Sequence, residues 1–197
     1  MHLPKQKIIE FKDVEMSYGV GCTPLKNVNL TINEGDFVAI TGPNGGGKTT
    51  LLRLILQLIK PTAGSIKFRW AGKEVSRLNI GYLPQKNAID NRFPITVEEV
   101  VASGLDSMNR FFHRKNNDDK AAVDAALNLV GLSEVRHHGI GQISGGQLQR
   151  ALLARATINK RDVLVFDEPL SYIDKEFEKE LYQIIGELAK TQDKGIY

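Results

Sequence analysis

Apolar and polar residues alternate along 8–17 and again along 28–32, the two-residue period of strands that bury one face. The turn Asn33-Glu34-Gly35 leads into Phe37-Val38-Ala39-Ile40, a short apolar run that reads as a further strand. From Lys48 to Ile59 leucine and isoleucine recur at helical spacing, and Pro61 and Gly64 stop that helix before 65–69 resumes as strand. Residues 79–84 predict another short strand. Thr96 then stands where an N-cap belongs, with Glu98 and Glu99 in the first turn of a helix running through Leu105. After a polar, basic stretch at 107–117, helical periodicity returns over 118–130 and ends at Gly131. Residues 144–159 read as a glycine-started helix, Val163 to Phe166 as a wholly apolar buried strand, and 175–190 as an amphipathic helix. Strands alternating with helices predict an α/β fold, with the middle of the chain as a helical insertion.

Composition narrows the classes. The 197 residues suit one globular unit, and a 42% hydrophobic content supplies a core, which excludes disorder. Twenty-six basic residues are interspersed with 23 acidic ones for a net charge of +3, so the chain calls for neither nucleic acid nor an anionic membrane surface. The single cysteine, Cys22, can form no disulfide within the chain, which points to a reducing compartment. Residues 1–11 lack the apolar core of a secretory signal. The most apolar stretch, 51–59, is interrupted by Arg53 and Gln57 and is too short to span a bilayer, so a membrane role would come through a partner.

Three segments carry chemistry. Gly42-Pro43-Asn44-Gly45-Gly46-Gly47-Lys48-Thr49 matches the phosphate-loop pattern, with Thr50 following, after an apolar run and at the opening of a helix. Glycines let backbone N–H groups turn in around phosphate oxygens, Lys48 adds a point charge, and the Thr49 hydroxyl can ligate Mg²⁺. Asp167 follows four apolar residues, so it emerges at the carboxyl end of a buried strand, where open α/β sheets hold ligands. There it can hold Mg²⁺ through water, while Glu168 is placed to act as general base on a water attacking the terminal phosphate. Ile143-Ser144-Gly145-Gly146-Gln147 starts a helix and offers N–H donors and a hydroxyl to an anion.

Taken in this order, the motifs resemble those of the nucleotide-binding subunit of an ATP-binding cassette transporter over nearly the whole chain. The resemblance implies a P-loop ATPase with a RecA-like parallel core sheet, an N-terminal antiparallel β subdomain and a helical subdomain. It implies a core formed by 1–85 and 160–197, a helical subdomain over 86–159, and ATP and Mg²⁺ as cofactors. By the same resemblance Tyr18 stacks on adenine, and Gln85 contacts Mg²⁺ and the attacking water. Ser144, Gly145, Gly146 and Gln147 form the signature that meets ATP bound to a second subunit, and residues 171–174 communicate across the dimer. Implied partners are a second copy with ATP at the interface, integral-membrane permease subunits and, through them, an extracytoplasmic substrate-binding protein. The implied location is the cytoplasmic face of the cell membrane.

The match departs from the family in two places. The signature opens with Ile143 in place of the usual leucine, a packing position that tolerates the exchange. Family members also carry, beyond the helix at 175–190, a central strand ending in a switch histidine, whereas this sequence reaches Tyr197 without one. His2, His113, His137 and His138 all precede the catalytic strand and cannot substitute. The expectation is a shortened version with reduced stability and little hydrolysis of its own, or a module that binds ATP without turnover.

Ile80 to Gln85 followed by Phe93 to Val97 resembles the zinc and manganese importer branch. His137-His138, two neighbours without a third ligand at workable spacing, reads as a solvated pair and not as a metal site. Phe111-Phe112 reads as buried within the insertion.

Overall fold

The alternation along 8–17 becomes strand β1 (Lys7–Met16) in the computed structural model, which describes residues 5–19, 21–84, 90, 92–105, 117–159, 161–167, 179, 183 and 186. β1 pairs antiparallel with β2 (Leu25–Asn33) on one side and with β3 (Ala63–Trp70) on the other. A short strand, β4 (Lys73–Val75), adds to β3 and gives the sheet order β2-β1-β3-β4. Ile9 and Phe11, and then Val14 and Met16, are buried while Lys12 and Glu15 face solvent, so the two-residue period holds on either side of Asp13 and slips by one residue there. The register between β1 and β2 shifts near Asp13, which adopts φ 50°. There Asn29 clasps Asp13, its Oδ1 accepting from the Asp13 amide at 3.0 Å and its amide donating to Asp13 Oδ1 at 3.0 Å.

Helix α1 (Lys48–Ile55) buries Leu54 and Ile55 and ends earlier than the sequence period implied. Gln57 takes the left-handed conformation at φ 57° and its side-chain amide donates to the Ser76 carbonyl at 2.8 Å. The apolar residues Leu58 and Ile59 therefore belong to the exit from the helix.

The run Phe37 to Ile40 is a correction: it lies in no strand, and Phe37 is 67 % exposed. Strand character comes from ladder partners as much as from composition, and among the described residues no strand pairs with 37–40.

These elements fall in a unit built on Met1–Ile80; a second unit spans Gly81–Glu187. In the second, β5 (Ile80–Leu83) and β6 (Val163–Phe166) form a two-stranded sheet. Helices α2 (Val97–Ala102), α3 (Asn117–Leu129) and α4 (Gly145–Thr157) pack on one another. Val97, Val101, Leu127 and Leu152 at the shared core are fully buried, each such side chain stabilising by roughly 1.5–3 kcal/mol. Arg136 joins two of the helices, reaching Glu98 at 3.1 Å and Asp124 at 2.7 Å, and these carboxylates hold its guanidinium above its ordinary pKa. Of the helix expected at 175–190, Lys179, Gln183 and Gly186 are described, and all three are helical.

The start of α2 is fixed by a reciprocal cap. Thr96 Oγ1 accepts from the Glu99 amide at 3.2 Å, and the Glu99 carboxylate accepts from the Thr96 amide at 2.8 Å. Thr96→Ala removes the hydroxyl and is expected to cost about 1 kcal/mol of unfolding free energy, measurable by urea denaturation. A midpoint equal to that of the parent would show that the cap adds nothing to α2.

Candidate functional site

Glycine-rich geometry shapes the loop ahead of α1 in the first unit. Gly45 and Gly47 have φ 79° and 85°, conformations that side-chain-bearing residues rarely adopt. Beside Gly42 and Gly45 a Cβ would meet nothing within 4 Å, so the loop presents open space in front of its backbone. Gly47 is the opposite case: a Cβ there would lie 2.7 Å from the Pro24 carbonyl, so the start of α1 sits hard against the entry to β2. The Gly46 amide donates to the Pro43 carbonyl at 3.1 Å and closes the loop. Lys48 spans it, Nζ donating to the carbonyls of Gly42 and Pro43, each at 2.8 Å.

The helix termini separate into two kinds. α2 carries Glu98 and Glu99 in its first turn and α3 carries Asp118 and Asp119, carboxylates that neutralise the positive end of a helix dipole. α1 has neither an acidic residue in its first turn nor a side-chain cap. α4 also lacks an acidic residue there and is capped by neutral groups, Ser144 Oγ accepting from the Gln147 amide at 3.2 Å and Gln147 Oε1 from the Ser144 amide at 2.8 Å. Both helix starts named in the sequence as phosphate-contacting thus keep their positive end uncompensated by charge. Ser144 Oγ, while accepting from Gln147, retains its own proton to donate.

The expected adenine platform is tied to the loop it should serve. Tyr18, 48 % exposed, places its hydroxyl 3.3 Å from Thr50 Oγ1 in the first turn of α1. The Tyr18 amide donates to the Cys22 carbonyl at 2.9 Å. A cavity of about 680 Å³ lies at the other end of α1, lined by Leu54, Gln57, Lys60, Phe68 and Arg77, away from the phosphate loop.

Asp167 follows β6 directly, as the apolar run Val163 to Phe166 implied, and its amide donates to the Leu83 carbonyl of β5 at 2.9 Å. Its Oδ2 accepts from the Tyr82 hydroxyl at 3.3 Å. The sequence reading missed Tyr82; its signal was the alternation of β5, which turns Tyr82 and Leu83 to opposite faces. The exposed Thr49 hydroxyl and the Asp167 carboxylate are hard oxygen donors of the type Mg²⁺ prefers. Gln85, Glu168 and residues 171–174 lie outside the described residues.

Among the described residues no cluster of three or more His, Cys, Asp or Glu could hold a metal ion. His137 stands 3.4 Å from Glu98 and is 79 % exposed, in keeping with a solvated histidine. No helix among the described residues is long and apolar enough to cross a membrane.

The family pattern described as ABC transporter matches residues 25–171. A zinc uptake system ATP-binding protein, ZurA, of Listeria innocua is 40% identical over 191 residues, covering 95% of this chain and 74% of that protein. Among solved structures, an inward-facing metal-chelate type ABC transporter superposes with TM-score 0.80 at 26% identity, over 97% of this chain and 72% of the other. The dimeric, post-hydrolysis ATP-binding cassette MJ0796 with ADP and phosphate does so with TM-score 0.79 at 28% identity, over 96% and 86%. The fold is that of a P-loop ATPase with an N-terminal antiparallel subdomain and a helical subdomain, and the chain belongs to the ATP-binding subunits of ATP-binding cassette transporters.

Proposed function

We propose that the chain is the ATP-hydrolysing subunit of a divalent-metal importer, zinc or manganese being its cargo class. The observation that carries this reading is the pair of helix starts without acidic compensation: α1 behind the glycine loop and α4 behind Ser144. In one chain they supply two separate anion seats, as an ATPase that shares each nucleotide between two copies requires. The metal class rests on the relative's description as a zinc uptake ATP-binding protein. The dimer rests on the likeness to a dimeric cassette.

In this reading Tyr18 stacks on adenine, the backbone from Gly42 to Thr50 cradles the phosphates, and Lys48 meets the outer ones. Thr49, Asp167 and Gln85 hold Mg²⁺, which when bound neutralises charge developing on the transferred phosphoryl group. Glu168 takes the proton of the attacking water, and Ser144 with the α4 amides of a second copy completes the donor set around the terminal phosphate. Permease subunits in the membrane receive the work, so the cargo never touches this chain.

Two measurements test the proposal. Purified chain should bind ATP and release phosphate, and its gene should restore zinc-limited growth to a bacterium lacking its own zinc-uptake ATPase when supplied with the cognate permease. Binding without phosphate release would reduce the chain to a nucleotide-binding module. Restored growth on a different nutrient would move the cargo elsewhere.

A further inference from the structure

We propose that Tyr82 is a positioning residue for the Asp167 carboxylate, holding one oxygen so that the other is presented to Mg²⁺; this rests on the nucleotide reading above. Consecutive residues of β5 grip Asp167 at two points. The Leu83 carbonyl accepts from the Asp167 amide at 2.9 Å, fixing the backbone, and the Tyr82 hydroxyl donates to Oδ2 at 3.3 Å, fixing the side chain. A phenol, with an ordinary pKa of about 10, stays protonated at neutral pH and can only donate to a carboxylate. One proton satisfies one lone pair, so Oδ1 and the remaining lone pairs stay available to a cation or its water.

The donor itself is held in place. At Gly81, one residue earlier, a Cβ would lie 2.2 Å from the Ala156 carbonyl and 2.5 Å from Leu164 Cδ2, so β5 is pressed between the end of α4 and β6. On Tyr82 the backbone carbonyl accepts from Arg155 Nη2 of α4 at 3.3 Å. Burial of that guanidinium pulls its pKa below the ordinary value, and a desolvated cation has reason to keep a carbonyl acceptor. Tyr82 is therefore anchored through its main chain while its hydroxyl is aimed at Asp167. A tyrosine that merely filled space at the end of β5 would need neither the hydroxyl nor its aim.

Tyr82→Phe removes the hydroxyl and keeps the ring. Binding of a fluorescent ATP analogue to the full chain, followed during Mg²⁺ titration and separately in EDTA, reads the effect. Loss of a group that orients a metal ligand is expected to raise the Mg²⁺ midpoint about tenfold. Binding in EDTA and the melting temperature should stay at parental values. The same substitution introduced beside Asp167→Asn should add no further shift, because the hydroxyl acts through that carboxylate. An unchanged midpoint, a tighter one, or a shift that persists undiminished with Asp167→Asn would overturn the proposal; a tighter midpoint would mean that the hydroxyl competes with the cation. If the parent chain bound the analogue in neither condition, the nucleotide reading would fall first, and this proposal with it.

Discussion

Lys48→Ala is expected to lower ATP hydrolysis by about a hundredfold or more and to weaken ATP binding, while leaving the fold in place. Lys48 Nζ donates at 2.8 Å to the carbonyls of Gly42 and Pro43, so the ammonium already lies over the mouth of the loop. Exchanging neutral carbonyls for anionic phosphate oxygens roughly doubles the strength of each hydrogen bond, and that gain grows as charge develops on the transferred group. Alanine loses this differential term as well as the point charge. The cost to folding is small because the amine's two acceptors are loop carbonyls that water reaches: Gly42 and Pro43 are both exposed. Lys48→Arg sharpens the test, since the charge is kept but a planar fork replaces a compact ammonium. It should restore part of the binding and little of the hydrolysis. Phosphate release by Lys48→Ala at the parental rate, with an unchanged melting temperature, would remove Lys48 from the site.

Where the sequence was readable, the reason was local chemistry. Val163 to Phe166 is wholly apolar and bounded by polar residues, and the strand occupies those residues and no others. Thr96 caps α2 as its place before the helix implied, and α4 starts at the glycines where the sequence put it; the reciprocal bonds of Thr96 with Glu99 and of Ser144 with Gln147 that fix these starts are local to the chain. Phe37 to Ile40 shows the limit. Its composition suits a strand, but pairing is settled by neighbours distant in sequence, and the run stands outside both described sheets. α1 fails in a milder way: leucines and isoleucines keep helical spacing through Ile59, yet Gln57 turns left-handed and finds the Ser76 carbonyl 19 residues on. Tyr82 escaped for a third reason. The alternation of Ile80 to Leu83 sets the face of Tyr82, but its hydroxyl gains a partner only once the chain leaving β6 brings Asp167 beside it.

Glu168→Gln should slow turnover severely while preserving ATP binding, and so collect the chain as an ATP-bound dimer. Asp167 is held to β5 through its amide, and two adjacent carboxylates can take different tasks. In the proposed reading Asp167 serves the metal and Glu168 the attacking water. Glutamine has nearly the shape of glutamate and still forms hydrogen bonds, but it cannot take up a proton at neutral pH, so the substitution isolates the base function. General-base catalysis contributes about 10²- to 10⁴-fold, and the loss of hydrolysis should fall in that range. Because ATP then persists between the glycine loop of one copy and the Ser144 helix of the other, light scattering should report twice the monomer mass in ATP and the monomer mass in ADP. Turnover at the parental rate would refute Glu168 as the base. Slow hydrolysis with monomer mass in ATP would instead separate the chemistry from dimer formation, because the base would be correct while the second anion seat, at the start of α4, would not be engaged by a partner's nucleotide.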